Sequence, residues 1–169
     1  MIKKTLVTLA LLSASANVLA APYIGGGIGK VDVDLPGFDD PNGFELIIGN
    51  EINPNFAVEA SIVDFGEASD GIVPEWLVTI NSIAFGALLK APVSENADFF
   101  FKFGLHLWDA ELNQDGFGLL AEDDGSDIFY GFGATFHVQE NFSMGVRYNS
   151  YDVDGDDATM FSVNGQISF

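Results

Sequence analysis

Cysteine is absent, basic residues are scarce, and no long uncharged apolar run occurs after the first twenty residues. Without cysteine there is no disulfide framework and no thiolate metal site. Six Lys and Arg stand against 25 Asp and Glu, for a formal net charge of −19. A surface so poor in cations cannot neutralise phosphates, which excludes nucleic acid as a partner. The missing apolar run excludes a transmembrane helix beyond the amino-terminal segment. High acidity with low apolar content would mean disorder. Here 48% of the residues are hydrophobic. A chain both acidic and oily must keep its charge apart from its apolar surface.

The amino terminus reads as a targeting segment. Lys3 and Lys4 are followed by the short apolar run Thr5 to Leu12, and Val18-Leu19-Ala20 supplies small residues before a cleavage point. This predicts a secretory signal peptide over residues 1–20. No Cys lies near the cut, so no lipid attachment is expected. The remaining 149 of the 169 residues make one domain, 21–169, and removal of Lys3 and Lys4 takes the formal charge from −19 to −21.

Apolar and polar residues then alternate with a period of two, the signature of strands with one apolar face. The final stretch is the sharpest: Phe161, Val163, Gly165, Ile167 and Phe169 alternate with Ser162, Asn164, Gln166 and Ser168. Eight strands are predicted. The first, Tyr23 to Asp34, is rich in glycine and its facing stays open. The second is Gly43 to Ile52, with Phe44, Leu46 and Ile48 opposite Glu45, Gly49 and Glu51. The third, Phe56 to Phe65, sets Phe56, Val58, Ala60 and Ile62 opposite Ala57, Glu59 and Ser61. The fourth, Trp76 to Lys90, is mixed. The fifth sets Phe99, Phe101, Phe103, Leu105 and Leu107 opposite Phe100, Lys102, Gly104, His106 and Trp108. The sixth is Ile128 to His137, the seventh begins at Phe142 and the eighth is the terminal stretch.

The connections alternate in length. Those around Asn53, Val93 and Glu140 are short; Leu35 to Asn42, Gly66 to Glu75, Ala110 to Asp127 and Asp152 to Asp157 are longer. Short turns at one end and longer loops at the other are the rhythm of a membrane barrel with both termini in the periplasm. The four longer regions with their strand ends carry four, four, seven and four acids: Asp32, Asp34, Asp39, Asp40; Asp64, Glu67, Asp70, Glu75; Asp109, Glu111, Asp115, Glu122, Asp123, Asp124, Asp127; and Asp152, Asp154, Asp156, Asp157. Nineteen of the 25 acids therefore lie at one end. The fold class this implies is all-β: an eight-stranded antiparallel transmembrane up-and-down β-barrel.

GNEINPNFAVEASIVDFGEA, Gly49 to Ala68, resembles the second hairpin of the OmpA-like outer-membrane β-barrel family, and DIFYGFGATFHVQENFSMGVRYNSYD, Asp127 to Asp152, resembles its penultimate hairpin. The resemblance implies a small barrel in the outer membrane of a Gram-negative bacterium, in contact with lipid and lipopolysaccharide, inserted by the barrel-assembly machinery. The peptidoglycan-binding domain of full OmpA proteins is not expected here. The closing signature of assembly substrates departs at Asn164, where Gly is usual.

Glu45, Glu51, Glu59, Lys102 and Arg147 fall on polar strand faces. On the lipid side each would cost up to a few kcal/mol near midplane, roughly. Inside a narrow barrel they can pair, and Arg147 with Glu59, joined by Lys102 and Glu45, is the candidate lumen ion-pair network. The resemblance implies the same kind of plug. His106 and His137 face inward; without matched spacing a structural role outweighs a metal or base role. Ser143 and Ser150 are available nucleophiles with no distinguishing signature. Asp152, Asp154, Asp156 and Asp157 are candidates for a weak divalent-cation loop, although the pattern departs from an EF-hand because Gly155 falls too early. Gly25 to Lys30 lacks the spacing and the following Ser or Thr of a phosphate loop. No cofactor is expected. The function expected is non-enzymatic: a structural or surface-interaction role of adhesion type, through acidic outer loops and a surface ligand, with Ala110 to Asp127 as the main contact. A narrow channel for small solutes or ions is the alternative, and a lipid-modifying barrel enzyme the more distant one.

Overall fold

The computed structural model describes residues 21–33 and 35–169; the signal-peptide segment 1–20 lies outside the described residues. Eight strands follow in order: β1 Ala21–Asp32, β2 Asn42–Asn53, β3 Phe56–Ser69, β4 Trp76–Ser94, β5 Ala97–Gln114, β6 Gly118–Gln139, β7 Phe142–Val153 and β8 Asp156–Ser168. Each pairs antiparallel with the next, and β1 pairs with β8 from Tyr23↔Ser168 to Asp32↔Thr159, so the sheet closes into a barrel. Closure satisfies every strand edge within the ring, which a bilayer demands because it offers no water to spare N–H and C=O groups. Phe169 adds a last bond, its N–H donating to the Pro22 carbonyl at 2.9 Å.

The alternation sorts side chains as the pattern predicts. Phe44, Leu46, Ile48, Phe99, Phe101, Phe103, Leu105, Phe161 and Val163 are exposed on the outside, while Glu45, Glu59, Ser61, Phe100, Lys102 and His106 are buried inside. An exposed apolar band of this extent would be a liability in water and is the expected surface of a barrel in lipid. The open facing of the first strand is resolved: Tyr23 and Val31 are buried and Ile24 and Ile28 point out. In β4, Ser82, Ala84 and Leu88 face in, and Ile83, Phe85 and Leu89 face out.

Strand lengths differ from the expectation at one end. Ala110 to Asp127 is not a loop. β5 runs to Gln114 and β6 starts at Gly118, paired from Gln114↔Gly118 down to Leu105↔Ile128. Only Asp115–Phe117 turns, with Phe117 N–H bonded to the Gln114 carbonyl at 3.0 Å. Trp76–Ser82 of β4 pairs alongside β5, and β3 follows β4 up to Ser69↔Leu77, so strands β3 to β6 rise at this end. Backbone pairing carries them on where neither face meets lipid or core, and alternation therefore disappears from the sequence. The last strand starts earlier than expected, at Asp156 and not Phe161, with Ala158 and Met160 turned into the core, beside a two-residue turn in which Asp154 and Gly155 both have positive φ, 55° and 92°. At the other end Ser94 pairs with Ala97, which shortens the turn expected from Ala91 to Asn96 to Glu95–Asn96.

The core inside the ring has two apolar clusters. One holds Val31, Val63, Phe65, Phe129, Tyr151 and Met160 with their neighbours towards the long-hairpin end. The other holds Ala57, Leu88 and Phe100 towards the short turns. The charged residues of the lumen lie between them.

Candidate functional site

Glu59 of β3 is the centre of the lumen. Its Oε2 accepts from Arg147 Nη1 at 2.8 Å and its Oε1 from Arg147 Nη2 at 2.9 Å, a two-pronged guanidinium–carboxylate pair. Lys102 Nζ lies 2.9 Å from Oε2, and the Tyr23 hydroxyl donates to Oε1 at 2.7 Å. Strands β1, β3, β5 and β7 are thus tied through one carboxylate. Tyr23 reaches it by lying across Gly49, where any Cβ would come within 2.2 Å of its ring. Lys102 also sits 5.1 Å from the centroid of the Phe129 ring, and Arg147 lies 5.3 Å from that of Phe100. The aromatic faces cap the two cations from above and below.

Glu45 enters the lumen without a direct ion pair. Its Oε1 accepts from the Ser162 hydroxyl at 2.9 Å, and Oε2 has no hydrogen-bond partner among the described residues. With Glu59 it balances the two buried cations. Asn164 completes the layer, its amide assigned so that the oxygen faces Arg147 Nε at 3.2 Å and the nitrogen donates to the Gly145 carbonyl at 3.0 Å. Lys102 is 0% exposed, Glu45 1% and Arg147 2%. With Glu59 at 4%, all four charged side chains of the layer are buried, and together they plug the lumen.

The histidines occupy opposite ends. His106 Nε2 donates to the Asp152 carbonyl at 2.7 Å, since a carbonyl can only accept, which leaves Nδ1 to accept from the Ser82 hydroxyl at 2.9 Å. His137 lies at the short-turn mouth in a chain of contacts across five strands. Glu51 meets Lys90, Lys90 Nζ is 3.2 Å from Asp98, His137 Nε2 is 3.0 Å from Asp98 Oδ2, and His137 Nδ1 is 2.9 Å from Ser143 Oγ. Sequence reading missed this belt. The signal was available in the short turn at Gln139 to Asn141, because such a turn sets His137 directly opposite Ser143. Asp98 and Lys90 join from across the ring, which no local pattern encodes.

At the other end, the four acids of the last hairpin do not converge. Asp152 Oδ1 accepts from Gly155 N–H at 2.8 Å and Asp157 Oδ1 from the Ser150 hydroxyl at 2.9 Å, both internal to the turn. Among the described residues no group of three or more His, Asp or Glu is placed to hold a metal ion. Gly25 to Lys30 is plain strand in β1, with Lys30 Nζ donating to the Asp40 carbonyl at 3.2 Å.

A closed ring of eight antiparallel strands, apolar outside and plugged by paired charges inside, defines a small transmembrane β-barrel. The family model for the outer membrane protein beta-barrel domain matches residues 5–169, and the chain belongs to that family. Its place is the bacterial outer membrane, with the short turns periplasmic and the long hairpins outside. No curated protein sequence matches the chain. Among solved structures it is similar to Ail, the attachment invasion locus protein of Yersinia pestis, determined in complex with the heparin analogue sucrose octasulfate: 17% identity, TM-score 0.62, covering 89% of this chain and 97% of that one. It is similar also to Neisserial surface protein A, with 16% identity, TM-score 0.59 and coverage of 89% and 97%. The amino-terminal barrel of Pseudomonas aeruginosa OprF gives 14% identity, TM-score 0.63 and coverage of 88% and 97%. At these identities the likeness is one of fold.

Proposed function

We propose that this protein is a non-conducting, non-enzymatic surface scaffold of adhesion type, which offers an acidic outer face to a cationic ligand. The observation that carries the reading is the contrast between a sealed lumen and a one-signed exterior. The layer of Glu45, Glu59, Lys102 and Arg147 is buried from both mouths. Solute passage would require breaking a buried two-pronged ion pair, which argues against the channel. In the sequence, nineteen acids fall in the long-hairpin regions with Lys30 as their one basic companion. Rigid scaffolds of this kind carry function on the segments they project. Ail was crystallised with a heparin analogue, a polyanion; the charge here is of the opposite preference.

The Ser143–His137–Asp98 contacts invite an acyl-transfer reading. Two features oppose it. Ser143 is only 5% exposed. Ser143 and Met144 also sit in ladders with both β6 and β8, so their N–H groups are not a free pair aimed at a developing oxyanion. The belt lines the short-turn mouth, with acid, base and hydroxyl satisfying one another.

Vesicles carrying the folded protein test the proposal by retention on an immobilised basic protein and on immobilised heparin. Retention on the basic protein, weakened by salt and by replacing Ala110 to Asp127 with a short turn, is expected. Retention on heparin alone would overturn the reading. Heat-dependent migration in SDS gels verifies that the shortened variant is folded.

A further inference from the structure

The upper part of β6 is an open sheet edge. β5 pairs with β6 over its whole length from Gly118, but β7 joins β6 only at Phe129↔Tyr151. Residues 118–128 therefore have a neighbour on one side and water on the other. The cause is the difference in hairpin length: β7 ends at Val153 and turns back through Asp154 and Gly155 into β8, while β6 runs on from Phe129 up to Gly118. On the other flank the arm is held firm, with Trp108 Nε1 donating to Asp127 Oδ2 at 2.7 Å and β4 alongside β5 up to Trp76↔Gln114.

An open edge presents a row of unpaired N–H and C=O groups, a template for another extended chain. The side chains along this one select the chain. Glu122, Asp123 and Asp124 are exposed in the strand and Asp127 is half-buried; Phe117, Leu119 and Leu120 are exposed at its tip, at 74%, 51% and 47%. A second copy pairing edge to edge would bring this acidic run against its own like charge, which is destabilising across a ladder. A basic segment meets opposite charge along the same register and apolar side chains at the tip.

We propose that β6 from Gly118 to Ile128 is a strand-addition site for an extended cationic segment of a partner protein, one that alternates basic and apolar residues. This rests on the acidic-face reading above and specifies its partner and binding mode. The backbone of the partner supplies main-chain hydrogen bonds, its basic residues share one face and meet Glu122 and Asp124, and its apolar residues take the other face beside Ala121.

The test uses the full barrel folded in lipid nanodiscs. The probes are a short peptide alternating lysine and valine, the same peptide N-methylated at alternate residues to remove the N–H groups of one edge, and a glutamate–valine counterpart. The lysine peptide should bind and slow amide exchange across 118–128. N-methylation should weaken binding at least about tenfold, roughly 1.4 kcal/mol. The glutamate peptide should not bind, and the triple change Glu122→Lys, Asp123→Lys, Asp124→Lys should invert the preference between the two charged peptides. Equal binding of the N-methylated peptide would overturn strand addition and leave the acidic-face reading standing. Failure of both lysine peptides and of the basic-protein retention assay would overturn both.

Discussion

Inside the barrel, Glu45 and Glu59 face Lys102 and Arg147, two acids to two bases, all buried. Above it, eighteen acids among the described residues share the outer end with Lys30, and Glu122, Asp123 and Asp124 are exposed to solvent. The same side chains thus serve opposite ends. In the lumen a charge is tolerable only when it is paired, because desolvation there is expensive and the partner must repay it. At the outer end water and salt screen the charges, so like-signed groups can be crowded at modest cost, and their summed field is free to act on what approaches. The lumen uses charge to close and order a fold. The outer end leaves charge unbalanced and so available for recognition.

The sharpest way to break this comparison is to unbalance the lumen. Glu59→Ala strands Arg147 and Lys102 without their carboxylate and should destabilise the barrel by about 3–5 kcal/mol; urea unfolding in lipid vesicles measures it. A loss under 1 kcal/mol, roughly, would mean that water enters and the plug is not sealed. Phe129→Ala comes next. That ring packs over Gly86 and Gly104, stacks on Tyr151 at 5.2 Å between centroids and covers Lys102. Its removal should cost about 3–4 kcal/mol and respond little to salt. Replacing Glu59, Lys102 and Arg147 together by apolar residues of similar size should cost clearly less than Glu59→Ala alone, since no buried charge is left unpaired. This third result would separate a network that stabilises from one that specifies packing. The smallest effect belongs to the outer end. Asp124→Lys should shift folding stability by no more than about 0.5 kcal/mol, yet weaken binding of the lysine peptide. A large stability loss there would show that the outer acids are built into the fold.

How much of this was legible in the sequence depends on where each residue sits. The facings of Phe44 to Ile48 and Phe99 to Leu107 were plain, because lipid on one side and lumen on the other impose opposite chemistry at every step. The same alternation placed Glu59, Lys102 and Arg147 on the polar faces. The facing of β1 was hidden by Gly25, Gly27 and Gly29, which bring no side chain to sort. β4 was ambiguous because Ile80, Ala84 and Leu88 are apolar on the inside while Ile83, Phe85 and Leu89 are apolar on the outside. Ala110 to Asp127 read as loop because most of that arm is wet on both faces and no alternation is required. The belt from Glu51 to Ser143 was out of reach for another reason: its members come from five strands, and barrel closure alone brings them together.

The central claim is that the lumen is sealed and the chemistry of this protein lies on its outer face. Single-channel recording of the purified, folded protein in a planar lipid bilayer tests it most directly. The account predicts no current steps above those of the bare membrane. Reproducible steps from the unaltered protein would contradict it, and would mean that the layer of Glu59, Lys102 and Arg147 opens.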